Sequence, residues 1–166
     1  SDWLMNNKRE IYNKFAKDLA SQSTQRFQSF MKENEVAKNQ TIEVKLFEES
    51  DVFSFNIDAI DQYGIVQDQA GGAQQSLSRL AVVFGLLDLA GTRTNLGYPF
   101  IADAPTTNLS EPQKRSFFDQ FLVDTALKQS FIFTMDLWDN KDGKLNQLGK
   151  DVKNKLVKKK DARFII

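Results

Sequence analysis

Two short stretches of the chain carry residue types that suit phosphate and magnesium chemistry. In the first, the apolar and aromatic run over residues 98–102 ends in a single carboxylate, Asp103, and Pro105-Thr-Thr-Asn-Leu follows. A short apolar run bounded by turn residues predicts a buried strand that delivers this aspartate to a turn. Carboxylate oxygens are ligands that Mg²⁺ prefers, often through water. The alternative is an aspartate that only caps a turn or a helix.

The second stretch is the glycine pair Gly71-Gly72, which stands directly before an apolar helical pattern. Adjacent glycines let backbone N–H groups approach an anion closely, and a helix N-terminus presents partial positive charge. A pair of glycines is weak evidence by itself, and a flexible turn is the alternative interpretation.

Composition excludes several classes of protein. With 166 residues, 41% of them hydrophobic and 14 of them Phe, the chain has the size of one globular domain with a core. It contains no Cys and no His, which excludes a disulfide framework, a thiolate metal site, a zinc enzyme and a Ser-His-Asp hydrolase within this segment. No run of ~18 apolar residues predicts a membrane span. No signal peptide pattern is present, and the start at Ser1 suits a piece of a longer protein.

Charge is balanced overall but not along the chain. Residues 141–166 hold nine Lys or Arg against three Asp, while the formal net charge of the whole chain is zero. A basic tail of this kind either follows nucleic-acid phosphates or forms a solvated helix with lysines outside, and the second interpretation is favoured.

The first half of the chain predicts a long helix, a hairpin and a second helix. Apolar residues at helical spacing, without a break by Gly or Pro, predict an amphipathic helix within residues 1–38, although the polar stretch 21–25 leaves a break there open. This helix is either the returning end of a coiled-coil arm or a helix that packs on a core. Residues 42–57 alternate with period two around the polar residues 48–51, which predicts an antiparallel hairpin, with residues 63–66 as a possible third strand. Residues 76–90 predict a helix that is apolar on nearly all sides and therefore buried.

The second half predicts a strand, a crossover helix and a parallel strand. Residues 99–102 form the first strand, and a capping box from Ser110 to Gln113 begins the helix. Its inward-facing residues are Phe117, Phe118, Phe121, Leu122 and Leu127. Residues 130–135 form an apolar strand without alternation, as in a sheet buried on both faces. The fold class is therefore α/β, with a long N-terminal helix, a β-hairpin and then βαβ units of a mainly parallel sheet.

The order of these features resembles the C-terminal half of an ABC-type ATPase head, of the kind found in SMC-like chromosome-maintenance proteins. The resemblance covers about residues 60–137, and its most specific piece is the strand that ends in Asp103-x-Pro-Thr-Thr-Asn-Leu. It implies that residues 39–166 form the C-terminal lobe of a P-loop ATPase head and that residues 1–38 include the end of a coiled-coil arm. The chain has no Gly-x-x-x-x-Gly-Lys-Ser/Thr motif, so the phosphate-binding loop would lie in an N-terminal Walker A lobe of the same protein.

The resemblance also implies a role for each matching residue. Ala70, Gly71 and Gly72 correspond to the signature motif, which contacts the γ-phosphate of ATP held by the opposite head of a dimer. Asp103 corresponds to the Walker B aspartate, which holds Mg²⁺ through water in its own head. Asn108 lies in the matching D-loop turn and is counted among the nucleotide-binding residues.

Several positions depart from the family pattern. Alanines stand in the signature motif at Ala70 and Ala73, and Ala104 replaces the usual glutamate that polarises the attacking water. Ser110 replaces the last aspartate of the D-loop. The switch histidine is absent, and Asp136 near its position is the candidate catalytic residue for placing that water. These departures suit a divergent branch that resembles DNA-sulfur-modification ATPases, an inactive enzyme, or an engineered change at position 104.

The function that the resemblance implies is ATP binding with Mg²⁺ and ATP-driven dimerisation of two heads, which controls coiled-coil arms on DNA. ATP hydrolysis in repair or defence against foreign DNA is expected, and a hydrolysis-deficient nucleotide-binding scaffold or clamp is the main alternative. A transporter ATPase and a generic α/β domain with a chance match are the others. The implied partners are a second head, DNA and other complex subunits, with no membrane. The implied location is the cytoplasm, with nucleoid association in a bacterium.

Overall fold

The computed structural model of the chain describes residues 2–49, 52–67, 71–94, 99–123 and 129–157. The mixed α/β chain divides into two compact units, Ser1–Leu96 and Gly97–Ile166. The first unit contains α1 (Asp2–Phe30), β1 (Thr41–Glu49), β2 (Val52–Ile60) and α2 (Gly72–Thr94). The second contains β3 (Pro99–Asp103), α3 (Glu111–Val123), β4 (Gln129–Phe133) and α4 (Gln147–Val157). None of the helices in the described ranges is long and apolar enough to cross a membrane.

Helix α1 is continuous through its polar stretch and ends at Phe30, well before residue 38. The side chain of Thr24 explains the continuity, because its Oγ1 accepts the N–H of Ile42 at 2.9 Å and donates to the carbonyl of Ile42 at 3.3 Å. This contact ties a weak helix former to β1. After the helix, Asn34 Oδ1 accepts the N–H groups of Val36 and Ala37, which closes a turn.

The core of the first unit lies between α1 and α2. The apolar stripe of α1 is buried from Ala16 onward, whereas Leu4 and Ile11 near its beginning are exposed. On α2 the buried hydrophobic residues are Leu77, Ala81 and Phe84. The predicted helix is thus present, but it is not buried on all sides, because Val83 and Leu86 remain exposed. Among the described residues, the buried positions of α2 therefore lie on one face of the helix.

The predicted hairpin is confirmed. Strands β1 and β2 pair antiparallel from Thr41↔Ile60 to Glu49↔Val52. Residues 50 and 51 of the predicted turn lie outside the described residues. The segment 63–66 contributes one isolated bridge, Ile60↔Val66, rather than a third strand. The Asp61 carboxylate accepts the N–H groups of Tyr63 and Ile65 in a tight turn, and this turn leaves too short a length for a strand.

The predicted strand-helix-strand unit is also confirmed, with β3 and β4 parallel from Pro99↔Gln129 to Asp103↔Phe133. The capping box is present as well, since Gln113 Oε1 accepts the N–H of Ser110 at 3.0 Å. Helix α3 covers one face of the strand pair through its buried residues, Phe117, Phe118 and Leu122. Leu127 lies outside the described residues.

Two expectations about the sheet are corrected. The described strands form two separate two-stranded sheets, of which β1–β2 is antiparallel and β3–β4 is parallel, so the expected mainly parallel sheet is present only in part. A hairpin with a short connection must be antiparallel, and only the crossover through α3 yields parallel strands. The strands β3 and β4 are also not buried on both faces, since burial alternates along each of them. One crossover helix covers one face only.

Helix α4 packs on α3 within the second unit. Its residues Leu148 and Val152 are buried, and ion pairs join Arg115 to Asp151 and Lys155 to Asp119. Residues 158–166, which hold much of the predicted basic tail, lie outside the described residues.

Candidate functional site

Asp103 is the last residue of β3 and its side chain is exposed. No hydrogen bond or ion pair to another described residue occupies its carboxylate. Alternation along the strand places it on the same face as Ile101, and the register adds Phe131 and Phe133 of β4 to this face. Across the described ranges, no three His, Cys, Asp or Glu side chains come together as a metal site. The site therefore offers one free oxygen ligand at the edge of the sheet.

The three apolar neighbours of Asp103 form a surface, which we call the open sheet face. Ile101 is 67% exposed, Phe131 is 46% exposed and Phe133 is 60% exposed. Their β-branched and aromatic side chains suit a strand that packs on one side against another layer. Contiguous apolar surface of this kind marks an interaction site more often than solvated surface.

The residue after Asp103 has an unusual backbone. Ala104 has φ 45°, in the left-handed region that L-residues with a Cβ rarely adopt. Its N–H donates to the carbonyl of Phe133 at 2.8 Å, which extends the pairing with β4 by one residue. Its carbonyl accepts the N–H of Thr107 at 3.3 Å and the hydroxyl of Thr107 at 3.1 Å. The chain therefore holds a strained residue directly after Asp103.

Asp136 lies in a cluster of polar side chains. Lys114 Nζ donates to Oδ1 of Asp136 at 2.6 Å, and Thr106 Oγ1 donates to Oδ2 at 2.6 Å. Thr134 Oγ1 accepts the N–H of Asp136 at 3.1 Å. The cluster is largely buried, with Lys114 18% and Asp136 19% exposed at the side chain and Thr106 fully buried. Both carboxylate oxygens of Asp136 are therefore engaged.

These contacts change the acidity of Asp136. Burial raises the pKa of its carboxyl group, but the hydrogen bonds from Lys114 and Thr106 and the positive charge of Lys114 outweigh it. The pKa of Asp136 is therefore lowered from its ordinary value. A carboxylate with a lowered pKa is a weaker base, so this environment does not favour proton abstraction from water. The expected water-placing role of Asp136 stays a prediction.

Sequence reasoning did not single out Lys114 or Thr106. One signal for Lys114 was present in the sequence. A lysine in the first turns of α3 lies near the positive end of the helix dipole, which is unfavourable and indicates an acidic partner. Thr106 carries no such signal, since threonine after proline is ordinary in a turn. Asn108 was predicted, and its side chain is exposed on the same turn.

The glycine pair begins α2 in the first unit. Gly72 is the first helical residue, and the carbonyl of Gly71 accepts the N–H of Gln75 at 3.1 Å. Both glycines are exposed, neither has a positive φ, and a Cβ added to either would meet nothing within 4 Å. The described part of the chain thus does not need glycine at these positions. Ala70 lies outside the described residues.

A cavity of about 420 Å³ lies beside the first turns of α2, between this helix and the hairpin. Its polar lining includes Arg79 and Asp58, while the amide of Gln74 is bonded to Gln40. Its apolar lining includes Ile42 and Val82. The glycine pair and this cavity belong to the first unit, and Asp103, Asn108 and Asp136 belong to the second.

Solved structures with a similar fold are SMC head domains. One is the Smc head domain with an extended coiled coil bound to the C-terminal domain of ScpA from Pyrococcus furiosus, with a TM-score of 0.59 at 12% identity over 89% of this chain. Another is the Smc head domain with a coiled coil and joint from Pyrococcus yayanosii, with a TM-score of 0.60 at 15% identity over 96% of this chain. A third, the SmcHead bound to the C-winged helix domain of ScpA, has a TM-score of 0.56 at 13% identity over 89% of this chain.

The chain spans 33%, 32% and 40% of the lengths of these three chains. No family model and no curated protein sequence matches it. At such identities the similarity shows the fold, which is that of part of an SMC-like head.

Proposed function

We propose that this chain is the C-terminal lobe of an SMC-like ATPase head that binds ATP and Mg²⁺ between two heads. The position of Asp103 carries the proposal: its free carboxylate lies at the carboxyl end of a parallel strand, in a chain with the fold of part of an SMC head. Ligands of open α/β sheets bind outside the carboxyl ends of the strands. Residues 39–166 would form the lobe, and residues 1–38 would include the end of an arm.

The open sheet face supports a missing N-terminal lobe as partner. Ile101, Phe131 and Phe133 surround Asp103 with exposed apolar surface, and the chain spans only about a third of the head structures that it resembles. Burial of this surface would stabilise the contact by roughly 25 cal/mol per Å². The occupant of the open sheet face is therefore the Walker A lobe of the same protein.

The chain's residues fit Mg²⁺ and a nucleotide without supplying a full metal site. Asp103 would hold the ion through water, because hydrated Mg²⁺ usually takes one or two carboxylates and the oxygens of substrate phosphates. The ion would neutralise charge on the phosphates. Asn108, exposed on the turn that follows, would contact the nucleotide. Gly71 and Gly72 would present backbone N–H groups to the nucleotide of the opposite head, with Ala70 before them.

A second candidate, a nucleotide-dependent clamp that scarcely hydrolyses ATP, is favoured by Ala104. A methyl group there supplies no lone pair, and the nearby carboxylate of Asp136 is engaged by Lys114 and Thr106. Loss of a general base or water-placing group typically lowers the rate by ~10²–10⁴-fold. Slow turnover with firm ATP binding is the expected behaviour of such a clamp.

The remaining partners belong to the same proposal. Exposed apolar residues near the beginning of α1, among them Trp3, Leu4 and Ile11, suit a helix that continues into a coiled-coil arm. ATP-driven dimerisation of heads would move such arms on DNA, in repair or defence. Other complex subunits and a cytoplasmic, nucleoid-associated location follow from the same proposal.

Binding of Mg²⁺-ATP by the complete protein, with its N-terminal lobe, tests the proposal. We expect Asp103→Asn to weaken binding about 10-fold or more in Mg²⁺ and little in EDTA. Asp142→Asn is the matched control, because Asp142 is exposed elsewhere in the same unit. Absence of ATP binding by the parent protein, or equal binding by both variants, contradicts the proposal.

The choice between the ATPase and the clamp needs a second variant. If Ala104 alone limits turnover, Ala104→Glu raises the rate of ATP hydrolysis by ~10²–10⁴-fold. Rapid hydrolysis by the parent protein excludes the clamp.

A further inference from the structure

Asp136 joins three segments that follow one another at the same end of the β3–β4 pair. Thr106 belongs to the turn after β3, Lys114 belongs to the first turns of α3, and Asp136 itself follows β4. The loop after β4 is anchored as well, since Asn146 Nδ2 donates to the backbone carbonyl of Asp136 at 2.7 Å. The side chain and backbone of Asp136 thus connect the turn after Asp103 to α3 and to the loop after β4.

The turn that Asp136 holds contains Ala104, whose left-handed backbone would relax if the turn were released. A left-handed conformation is unfavourable for a residue with a Cβ, because the Cβ comes too close to the following carbonyl oxygen. At Ala104 this conformation is maintained by the bond to Phe133 on one side and by the turn through Thr107 on the other. Thr106 lies inside that turn, fully buried, and its hydroxyl donates to Asp136, the one side-chain partner that it has among the described residues. Strained residues persist where the surrounding structure over-determines them.

We propose that Asp136 is a positioning residue that acts through the Thr106 hydroxyl to hold the turn Ala104–Asn108, with its left-handed Ala104, in the conformation that presents Asp103 and Asn108. The expected effect on nucleotide binding rests on the proposed function. The hydrogen bonds that hold the turn do not depend on it. The positioning role differs from a water-placing role, because Asp136 would act through its bond to Thr106 in the turn and not on the attacking water. Lys114 is the counter-charge that keeps the carboxylate ionised in its buried position.

A double-mutant cycle between positions 106 and 104 tests this role. Thr106→Val keeps the shape of the side chain and removes the hydroxyl, while the ion pair between Lys114 and Asp136 is left in place. Ala104→Gly removes the steric reason for the turn to relax, because glycine adopts a positive φ readily. We expect Thr106→Val to weaken Mg²⁺-ATP binding by the complete protein about 10-fold alone and less than about 3-fold in the Ala104→Gly background.

Controls separate positioning from general loss of structure. Ala102→Gly adds a glycine to β3 at a position without positive φ, and it should not rescue Thr106→Val. Thr106→Ser restores the hydroxyl and should restore binding. Equal losses in the two backgrounds, or equal rescue by Ala102→Gly, overturn the proposal.

Hydrogen exchange gives a readout that does not depend on ATP. In the complete protein without nucleotide, Thr106→Val should raise exchange about 10-fold at the backbone N–H groups of Ala104 and Thr107, and Ala104→Gly should reduce this increase. If the parent protein binds no ATP, the proposed function fails. The hydrogen-exchange measurement still tests whether Asp136 positions the turn. Unchanged exchange at both amides overturns it. Should Thr106→Val fail to fold, Asp136→Asn takes its place in the same cycle.

Discussion

The two stretches that suit phosphate chemistry are held in opposite ways. The turn after Asp103 is fixed by its own chain, through a strained Ala104, a buried Thr106 and the ion pair of Asp136 with Lys114. The glycine pair at the beginning of α2 is exposed, has ordinary backbone angles and has open space where side chains would stand. The chain restrains the first stretch and leaves the second unrestrained.

The contrast separates two reasons for a residue's identity. Residues of the turn are needed by the fold itself, so their substitution should alter stability before any ligand is considered. The glycine pair is not needed by the described packing, so a requirement for glycine there would come from a molecule that approaches it. Stability and function should therefore respond together in the turn and separately at the glycine pair.

The largest expected effect comes from breaking the ion pair of the turn. Lys114→Met leaves Asp136 charged and largely buried without its counter-charge, and we expect a loss of about 2–3 kcal/mol in the free energy of unfolding. Urea unfolding measures the change. Lys153→Met, on the exposed side of α4, is the matched control and should stay within about 0.5 kcal/mol. A loss as small as that of the control would mean that the turn is not held by this pair.

A smaller loss is expected from a packed glycine in the same helix as the pair. A Cβ on Gly85 would lie 2.6 Å from Ser23 Oγ and 3.0 Å from the backbone nitrogen of Ser23. Gly85→Ala should therefore destabilise the first unit by about 1–2 kcal/mol, in the lower part of the range for overpacking. Thermal unfolding measures this loss. Adding Ser23→Ala removes Ser23 Oγ and should recover part of the lost stability. If no stability is recovered, the contact with Ser23 Oγ is not the cause of the loss.

At the glycine pair we expect a substitution to increase the free energy of unfolding, whereas the two substitutions above decrease it. Gly72→Ala should raise the free energy of unfolding by up to about 1 kcal/mol, because alanine favours the helix and the space is open. Nucleotide-dependent association of two complete proteins, measured by sedimentation, should fall. Gly64→Ala is the control, since Gly64 also has open space but has φ +78, and it should destabilise. If association is unchanged in Gly72→Ala, the glycine at this position is not required for the proposed contact with the nucleotide of the opposite head.

The smallest effect is a pH dependence of the turn. The pKa of Asp136 is lower in the folded chain than its ordinary value of 3.8, so its contribution to stability is fully present above that pH. The contribution is lost as the pH falls through the lowered pKa. Asp151, whose pKa is held down by its hydrogen bond from Arg115, titrates in the same direction. Asp136→Asn should therefore reduce, but not abolish, the loss of stability in acid. Urea unfolding at a series of pH values measures this, and an unchanged loss in acid would contradict a contribution from Asp136.

Much of the fold was predictable because it is encoded locally. Period-two alternation predicted the hairpin, the capping box at Ser110 predicted the beginning of α3, and an apolar run before a carboxylate predicted that Asp103 ends a strand. Each of these signals depends on residues within a few positions of one another. The exposure of Ile101 and Phe133 was not predictable in the same way, because apolar strands look alike whether one face is covered or both are.

The sequence by itself determined the kinds of element, the place of Asp103 at the end of β3 and the position of Gly72 at the beginning of α2. Tertiary structure alone decided that Asp136 is engaged by Lys114 and Thr106, that Ala104 is left-handed and that the open sheet face is uncovered. The physical reason is range. Helix periods, caps and turns act over a few residues, whereas Thr106 and Asp136 are 30 positions apart and meet only because β3 and β4 pair in parallel.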